Sequence, residues 1–102
     1  NILMLPLKAG IPAYIIDSRN RIRLIDQETV ITREEFYGKY LSLLPLTNEV
    51  TGVTLRGLKY EITDFTLRVG IARAISNELA ENSTQARIQM KSGVLILVEA
   101  MD

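Results

Sequence analysis

Phe65-Thr66-Leu67-Arg68-Val69-Gly70-Ile71-Ala72 alternates throughout: Phe65, Leu67, Val69 and Ile71 fall on one side, Thr66, Arg68, Gly70 and Ala72 on the other. A period of two marks a half-buried strand, because successive side chains leave an extended backbone on opposite faces. Upstream, Val53-Thr-Leu-Arg56 alternates as well, and Gly57 interrupts it as a bulge or bend does. Leu58, Tyr60 and Ile62 then resume an apolar side opposite Lys59, Glu61 and Thr63. Downstream, Ala86-Arg-Ile-Gln-Met90 alternates. Gly93-Val-Leu-Ile-Leu-Val98 is continuously apolar, the pattern of a central strand buried on both faces. Between these segments residues 77–91 are mostly polar, and residues 77–85 read as a loop. Ile71, Ile75 and Leu79 also fit helical spacing, which allows a short helix before it.

The first half reads differently. Ile2-Leu-Met-Leu5 is a short strand expected to end at Pro6. Ala13-Tyr-Ile-Ile-Asp17 and Arg21-Ile-Arg-Leu-Ile25 flank Asp17-Ser-Arg-Asn20, whose side chains bond readily to their own backbone, and together they predict a β-hairpin. Thr32-Arg-Glu-Glu35 is a capping box, and Ile31 before it and Phe36 after it fit a hydrophobic staple. Phe36, Tyr40, Leu43 and Leu44 share a helical face, and Pro45 closes the segment. This predicts an amphipathic helix over residues 32–44, with Gly38 inside it where a neighbouring strand comes close. The predicted fold is α+β: an antiparallel, incomplete β-barrel-like sheet with that helix packed on it.

One domain of 102 residues buries about 65% of its unfolded surface, enough for a single core. Twelve basic residues balance twelve acidic ones, which disfavours a non-specific nucleic-acid binder. Without Cys or His the chain has no disulfide, no thiolate or imidazole metal ligand and no histidine base. No apolar run reaches the roughly 20 residues that span a bilayer. The chain opens on Asn1 and is apolar at once, which reads as a partial chain lacking N-terminal and C-terminal elements.

The candidate acids are Asp17, Asp26, Glu28, Asp64 and Glu99, and no two share a face at the spacing of a catalytic pair. They read as turn, cap or solvated residues. No glycine-rich phosphate loop is present; Gly52, Gly57, Gly70 and Gly93 are scattered among strands. Arg56, Lys59, Arg68 and Arg73 form a basic stripe that is either a solvated sheet face or a surface for an acidic patch on a partner. A triphosphate-tunnel phosphohydrolase barrel needs an inward face of alternating Glu, Lys and Arg to hold metal and phosphate. Here the clearest strand face is Phe65, Leu67, Val69 and Ile71, so no catalytic, metal or cofactor residue is expected.

The block from Leu55 to Gly70 resembles Mediator subunit 20, from the head module of the transcriptional coactivator. The resemblance rests on Arg56, Gly57, Tyr60, Asp64, Phe65, Arg68, Val69 and Gly70, followed by Gly93, Val94, Ile96, Val98 and Glu99. It implies a non-enzymatic nuclear scaffold that pairs with Mediator subunit 18, is tethered by subunit 8 and other head subunits, and engages RNA polymerase II indirectly. It implies no cofactor, small-molecule substrate, membrane or direct nucleic-acid contact. Partner contacts are expected at Thr66, Arg68 and Arg73, and at Leu95 and Leu97, because a strand apolar on both faces needs a cover on its second face. The alternatives are the phosphohydrolase barrel and a self-associating structural domain.

Overall fold

The computed structural model describes residues 3–10, 13–70 and 76–102. In chain order the elements are α1 (Met4–Lys8), β1 (Ile15–Ile16), β2 (Asn20–Ile25), β3 (Thr29–Thr32), β4 (Tyr40–Pro45), β5 (Glu49–Arg56), β6 (Phe65–Arg68), β7 (Asn77–Glu78), β8 (Gln85–Gln89) and β9 (Leu95–Ala100). The strands form two antiparallel sheets, ordered β1-β2-β9-β4-β7 and β3-β8-β5-β6. Leu41, Leu43, Leu95 and Leu97 from the first sheet and Ile31, Val50, Val53, Leu55, Leu67 and Ile88 from the second meet in one core. Removing this apolar surface from water is the main force holding the sheets face to face.

The hairpin forms as its turn chemistry dictates. Asp17 Oδ1 accepts the backbone N–H groups of Arg19 and Asn20, both at 2.8 Å, and these bonds lower the Asp17 pKa. Ile15 pairs with Ile22 and Ile16 with Arg21. Of the strand expected over residues 2–5, Ile2 lies outside the described residues and Met4 and Leu5 instead begin α1; Pro6 is tolerated in its first turn, where its missing N–H has no helical partner to lose.

The amphipathic helix expected over residues 32–44 does not form. The capping box does: Glu35 Oε1 accepts from the Thr32 N–H at 3.1 Å and from the Thr32 hydroxyl at 2.8 Å. The Glu35 and Phe36 N–H groups both return to the Thr32 carbonyl, making a single turn. Gly38 then takes φ +94°, outside the helical region, where an added Cβ would collide with the Ala100 carbonyl of β9. The close strand expected at Gly38 is therefore present, and it ends the turn. Leu41 and Leu43, two apart and fully buried, make residues 40–45 a strand.

β9 is central, between β2 and β4, but it is buried on one face only. Leu95, Leu97 and Glu99 have no exposed surface, while Ile96, Val98 and Ala100 are half-buried. Of the alternating stretch from Phe65, the described residues form a strand from Phe65 to Arg68. Leu67 is fully buried and Phe65 packs on the core, whereas Val69 is exposed in the turn that follows. Residues 71–75, including Ile71, Arg73 and Ile75, lie outside the described residues, and with them the short helix considered there.

Candidate functional site

Because directly paired residues share a sheet face, the registers Arg21–Glu99, Glu99–Leu41 and Leu41–Asn77 place four side chains in one inward-facing row across β2, β9, β4 and β7. Two of them, Glu99 and Asn77, are polar with no exposed surface, and buried polar groups require partners.

Glu99 finds its partners within the scaffold. Arg21 Nε and Nη2 donate to its carboxylate at 2.9–3.1 Å, and the Tyr37 N–H donates to Oε2 at 2.9 Å. Hydrogen bonding to Glu99 is the largest cause raising the Arg21 pKa. The guanidinium lies 5.0 Å from the Tyr14 ring centroid and 5.5 Å from that of Tyr37. Each group of this knot is turned toward another part of the chain.

Asn77 acts differently. Its Oδ1 accepts the Tyr60 N–H at 3.0 Å, and its Nδ2 donates to the Tyr60 carbonyl at 2.8 Å. Both backbone groups of Tyr60 are thus held by one buried amide. The rest of the loop between β5 and β6 is fixed as firmly. Gly57, at φ +78°, donates its N–H to Glu61 Oε2 and accepts from Ala80. Leu58 is buried against the core and bridges to Leu79. The Lys59 N–H donates to the Glu78 carbonyl at 2.8 Å. Arg56 caps the Ile62 carbonyl and bonds the Thr63 hydroxyl.

On this fixed backbone Tyr60 stands 59% exposed. The alternation over residues 58–62 predicted it on the apolar side with Leu58 and Ile62; only Leu58 is buried there. Lys59 Nζ lies 5.4 Å from the Tyr60 ring centroid and 3.8 Å from Glu78 Oε2. Glu78 also lines a hollow of about 290 Å³ with Arg33, Phe36, Gly38, Lys39 and Leu79. The site is an aromatic platform with one cation and one carboxylate beside it, at the β7 edge of the first sheet. Such a ring presents a flat face to another ring and a negative quadrupole to a cation.

Sequence reasoning gave Asn77 to a loop. The available signal was Leu58 and Leu79, whose burial requires their two segments to meet, bringing Asn77 to Tyr60. The other expected site residues are structural or exposed. Asp64 takes φ +48° in the turn before β6, donates its N–H to Thr54 Oγ1 and pairs with Lys91 at 3.2 Å. Glu28 accepts from Arg87 and Gln89, and Asp26 lines a second hollow, near α1. Thr66 is half-buried on β6, and exposed Arg68 pairs with Glu49 at 2.6 Å. Leu95 and Leu97, expected to meet a partner, are fully buried in the chain's own core, because the register of β9 turns the odd-numbered residues inward. Gly93 packs against the Glu49 carbonyl and the Thr47 hydroxyl. Among the described residues no cluster of three or more acidic, His or Cys side chains fits a metal ion.

Comparison with known proteins shows the family of the chain. The family described as "Thiamin pyrophosphokinase, vitamin B1 binding domain" matches residues 27–95, more than half of the chain. The thiamine pyrophosphokinase of Bacillus subtilis (strain 168) is 25% identical over 96 residues, which are 94% of this chain and 44% of that protein. The crystal structure of thiamine pyrophosphokinase from Bacillus subtilis superimposes with a TM-score of 0.89 at 27% identity, over 99% of this chain and 46% of that one. The corresponding protein from Geobacillus thermodenitrificans gives 0.82 at 25% identity, over 100% of this chain and 46% of that one. The chain therefore spans a little under half the length of these relatives.

These matches overturn the resemblance to Mediator subunit 20. Residues 56–70 carry the motif because a β5–loop–β6 hairpin of this shape needs Gly57 and a tight turn at Asp64, whichever protein contains it. The expected partners (Mediator subunits 18 and 8, the other head subunits and RNA polymerase II) and the transcriptional role fall with it. The nuclear location falls as well, since the relatives are bacterial proteins. So does the non-enzymatic assignment, since those relatives carry an enzyme's name. The phosphohydrolase tunnel finds no support either: leucine, valine and isoleucine fill the space between the sheets. The chain belongs to the vitamin B1 binding domain family of thiamin pyrophosphokinases.

Proposed function

We propose that this chain is the thiamine-recognising domain of a thiamine pyrophosphokinase, and that the Tyr60 platform receives the vitamin. The supporting observation is the Asn77 clamp: an exposed aromatic ring whose backbone N–H and C=O are both held by a buried side chain. With the backbone fixed in this way, only the side-chain torsions of Tyr60 remain to be ordered when a ligand stacks on the ring. Thiamine joins a flat aminopyrimidine to a cationic thiazolium, and both suit the face of a tyrosine.

In this reading residues 1–102 act as one β domain of a longer enzyme, and the facing sheets are a flattened, incomplete barrel packed solid as a scaffold. The domain's share of the reaction is positional. It holds the hydroxyethyl arm of thiamine where a pyrophosphoryl group is delivered, and orientation alone supplies a large part of the rate of such a transfer.

Titration calorimetry of the intact protein with thiamine tests this. Tyr60→Ala should weaken binding about two- to tenfold, as expected for loss of an aromatic partner worth roughly 0.5–1.5 kcal/mol. It should leave folding stability within about 0.5 kcal/mol of wild type, since the ring is largely exposed. Unchanged thiamine affinity in that variant would remove the platform from the site.

A further inference from the structure

Lys59 Nζ stands over the ring that, in the reading above, thiamine must reach, at 5.4 Å from its centroid. The Lys59 and Tyr60 side chains are more than half exposed, so water-filled space is available for the ammonium to leave the ring. Its backbone does not share that freedom, because the Lys59 N–H is bonded to the Glu78 carbonyl and the next residue is clamped by Asn77. Glu78 Oε2 at 3.8 Å gives the ammonium a second resting place. The result is a cation on a flexible four-carbon stem, rooted in fixed backbone and poised between a ring face and a carboxylate.

We propose that Lys59 is an exchangeable placeholder: it occupies the Tyr60 face in the free protein, gives way to the cationic ring of the ligand, and then serves as the positive charge that meets the ligand's pyrophosphate once that group is present. This rests on the thiamine reading of the platform. The two roles are linked by charge. A ligand cation on the ring expels a like charge, and the expelled ammonium, still tethered beside the site, is left to pair with an anion. Lys59 thereby opposes the cationic, unphosphorylated vitamin and favours its pyrophosphorylated form at the same position.

The test compares thiamine and thiamine pyrophosphate as ligands of the intact protein in wild type, Lys59→Met, Lys59→Arg and Tyr60→Ala. Lys59→Met keeps the stem and removes the charge. It should tighten thiamine about two- to fivefold, the fold-change set by an exposed cation–π contact no longer being displaced. Ring displacement is common to both ligands and cancels from the ratio of their dissociation constants, so that ratio isolates the anion contact. The thiamine pyrophosphate to thiamine ratio should rise about three- to tenfold in Lys59→Met and stay near wild type in Lys59→Arg. A purely structural lysine would move both ligands in parallel and leave the ratio alone. If Tyr60→Ala weakens thiamine while Lys59→Met changes neither quantity, or only one of them, the placeholder is wrong and the platform stands. If Tyr60→Ala has no effect on thiamine, platform and placeholder fall together.

Discussion

Glu99 and Asn77 stand two strands apart in one inward row of the five-stranded sheet, separated by Leu41, and both are polar side chains with no exposed surface. Glu99 directs its bonds to Arg21 and Tyr37, which bind the hairpin and the turn after β3 to the central strand. Asn77 directs two of its bonds to the backbone of a residue whose side chain faces solvent. Burial alone does not distinguish structural from functional polar groups. The destination of the bonds does: the first network closes on itself, and the second ends in an exposed ring.

Breaking the closed network should cost the most. Arg21→Ala leaves the Glu99 carboxylate buried without its counter-ion, and loss of one partner of a buried pair costs roughly 3–5 kcal/mol. Urea unfolding should show this as a lower midpoint. Thiamine affinity should be unaffected wherever the variant remains folded, because nothing in the knot is directed toward Tyr60. Replacing both residues together, Arg21→Met with Glu99→Leu, should recover part of the loss, with the orphaned Tyr37 N–H as the residual penalty. A variant that loses thiamine affinity in proportion to its stability would show that the two ends of the row are one functional unit.

Asn77→Ala comes next. It removes the acceptor for the Tyr60 and Glu78 N–H groups and the donor to the Tyr60 carbonyl. Unsatisfied buried groups cost about 1–3 kcal/mol, and the exposed end of this loop can turn to water, so about 2 kcal/mol is expected. Unlike Arg21→Ala, this variant should also weaken thiamine binding, approaching the loss expected for Tyr60→Ala, because the backbone that carries the ring is no longer held. Calorimetry beside unfolding separates the effects; loss of stability with affinity intact would reduce Asn77 to the class of Glu99.

The contrast also explains what the sequence made legible. Period-two patterns located β5, β6 and β8, and a continuous apolar run located β9, because burial there depends on nearest neighbours along the strand. The hairpin was legible because Asp17 acts within three residues of itself. The site was not, because it is built from contacts far along the chain: Asn77 reaches Tyr60, 17 residues away, and a polar residue in a polar stretch carries no local mark of burial. The false helix has the same origin. Phe36, Tyr40, Leu43 and Leu44 fit a helical face, and Leu41 and Leu43 fit a strand equally well. The choice is made by the Ala100 carbonyl packed against Gly38, 62 residues away in sequence. The resemblance to Mediator failed for a related reason: a glycine, a tight turn and alternating strands specify a hairpin, and hairpins recur among unrelated proteins.

The smallest effect belongs to the capping box, whose bonds form without a helix to cap. Glu35 is fully exposed, and its pKa is lowered from the usual 4.5, first by the Thr32 hydroxyl, then by the Thr32 N–H, with weaker help from Arg23 and Arg21. A carboxylate whose folded pKa lies below its unfolded one stabilises the fold above the unfolded pKa, and that contribution is lost as pH falls through the folded value. Thermal unfolding of wild type and Glu35→Ala should therefore differ slightly at neutral pH, and the gap should narrow below about 4.5 as Glu35 protonates. Asn77→Ala behaves otherwise at mildly acidic pH, since the amide it removes does not titrate. A Glu35→Ala gap that stays constant across the acid range would mean the box stabilises by shape alone, through the turn that delivers Gly38 to β9. A gap that closes would mean the charge on Glu35 holds a turn that the local sequence, taken by itself, would extend into a helix.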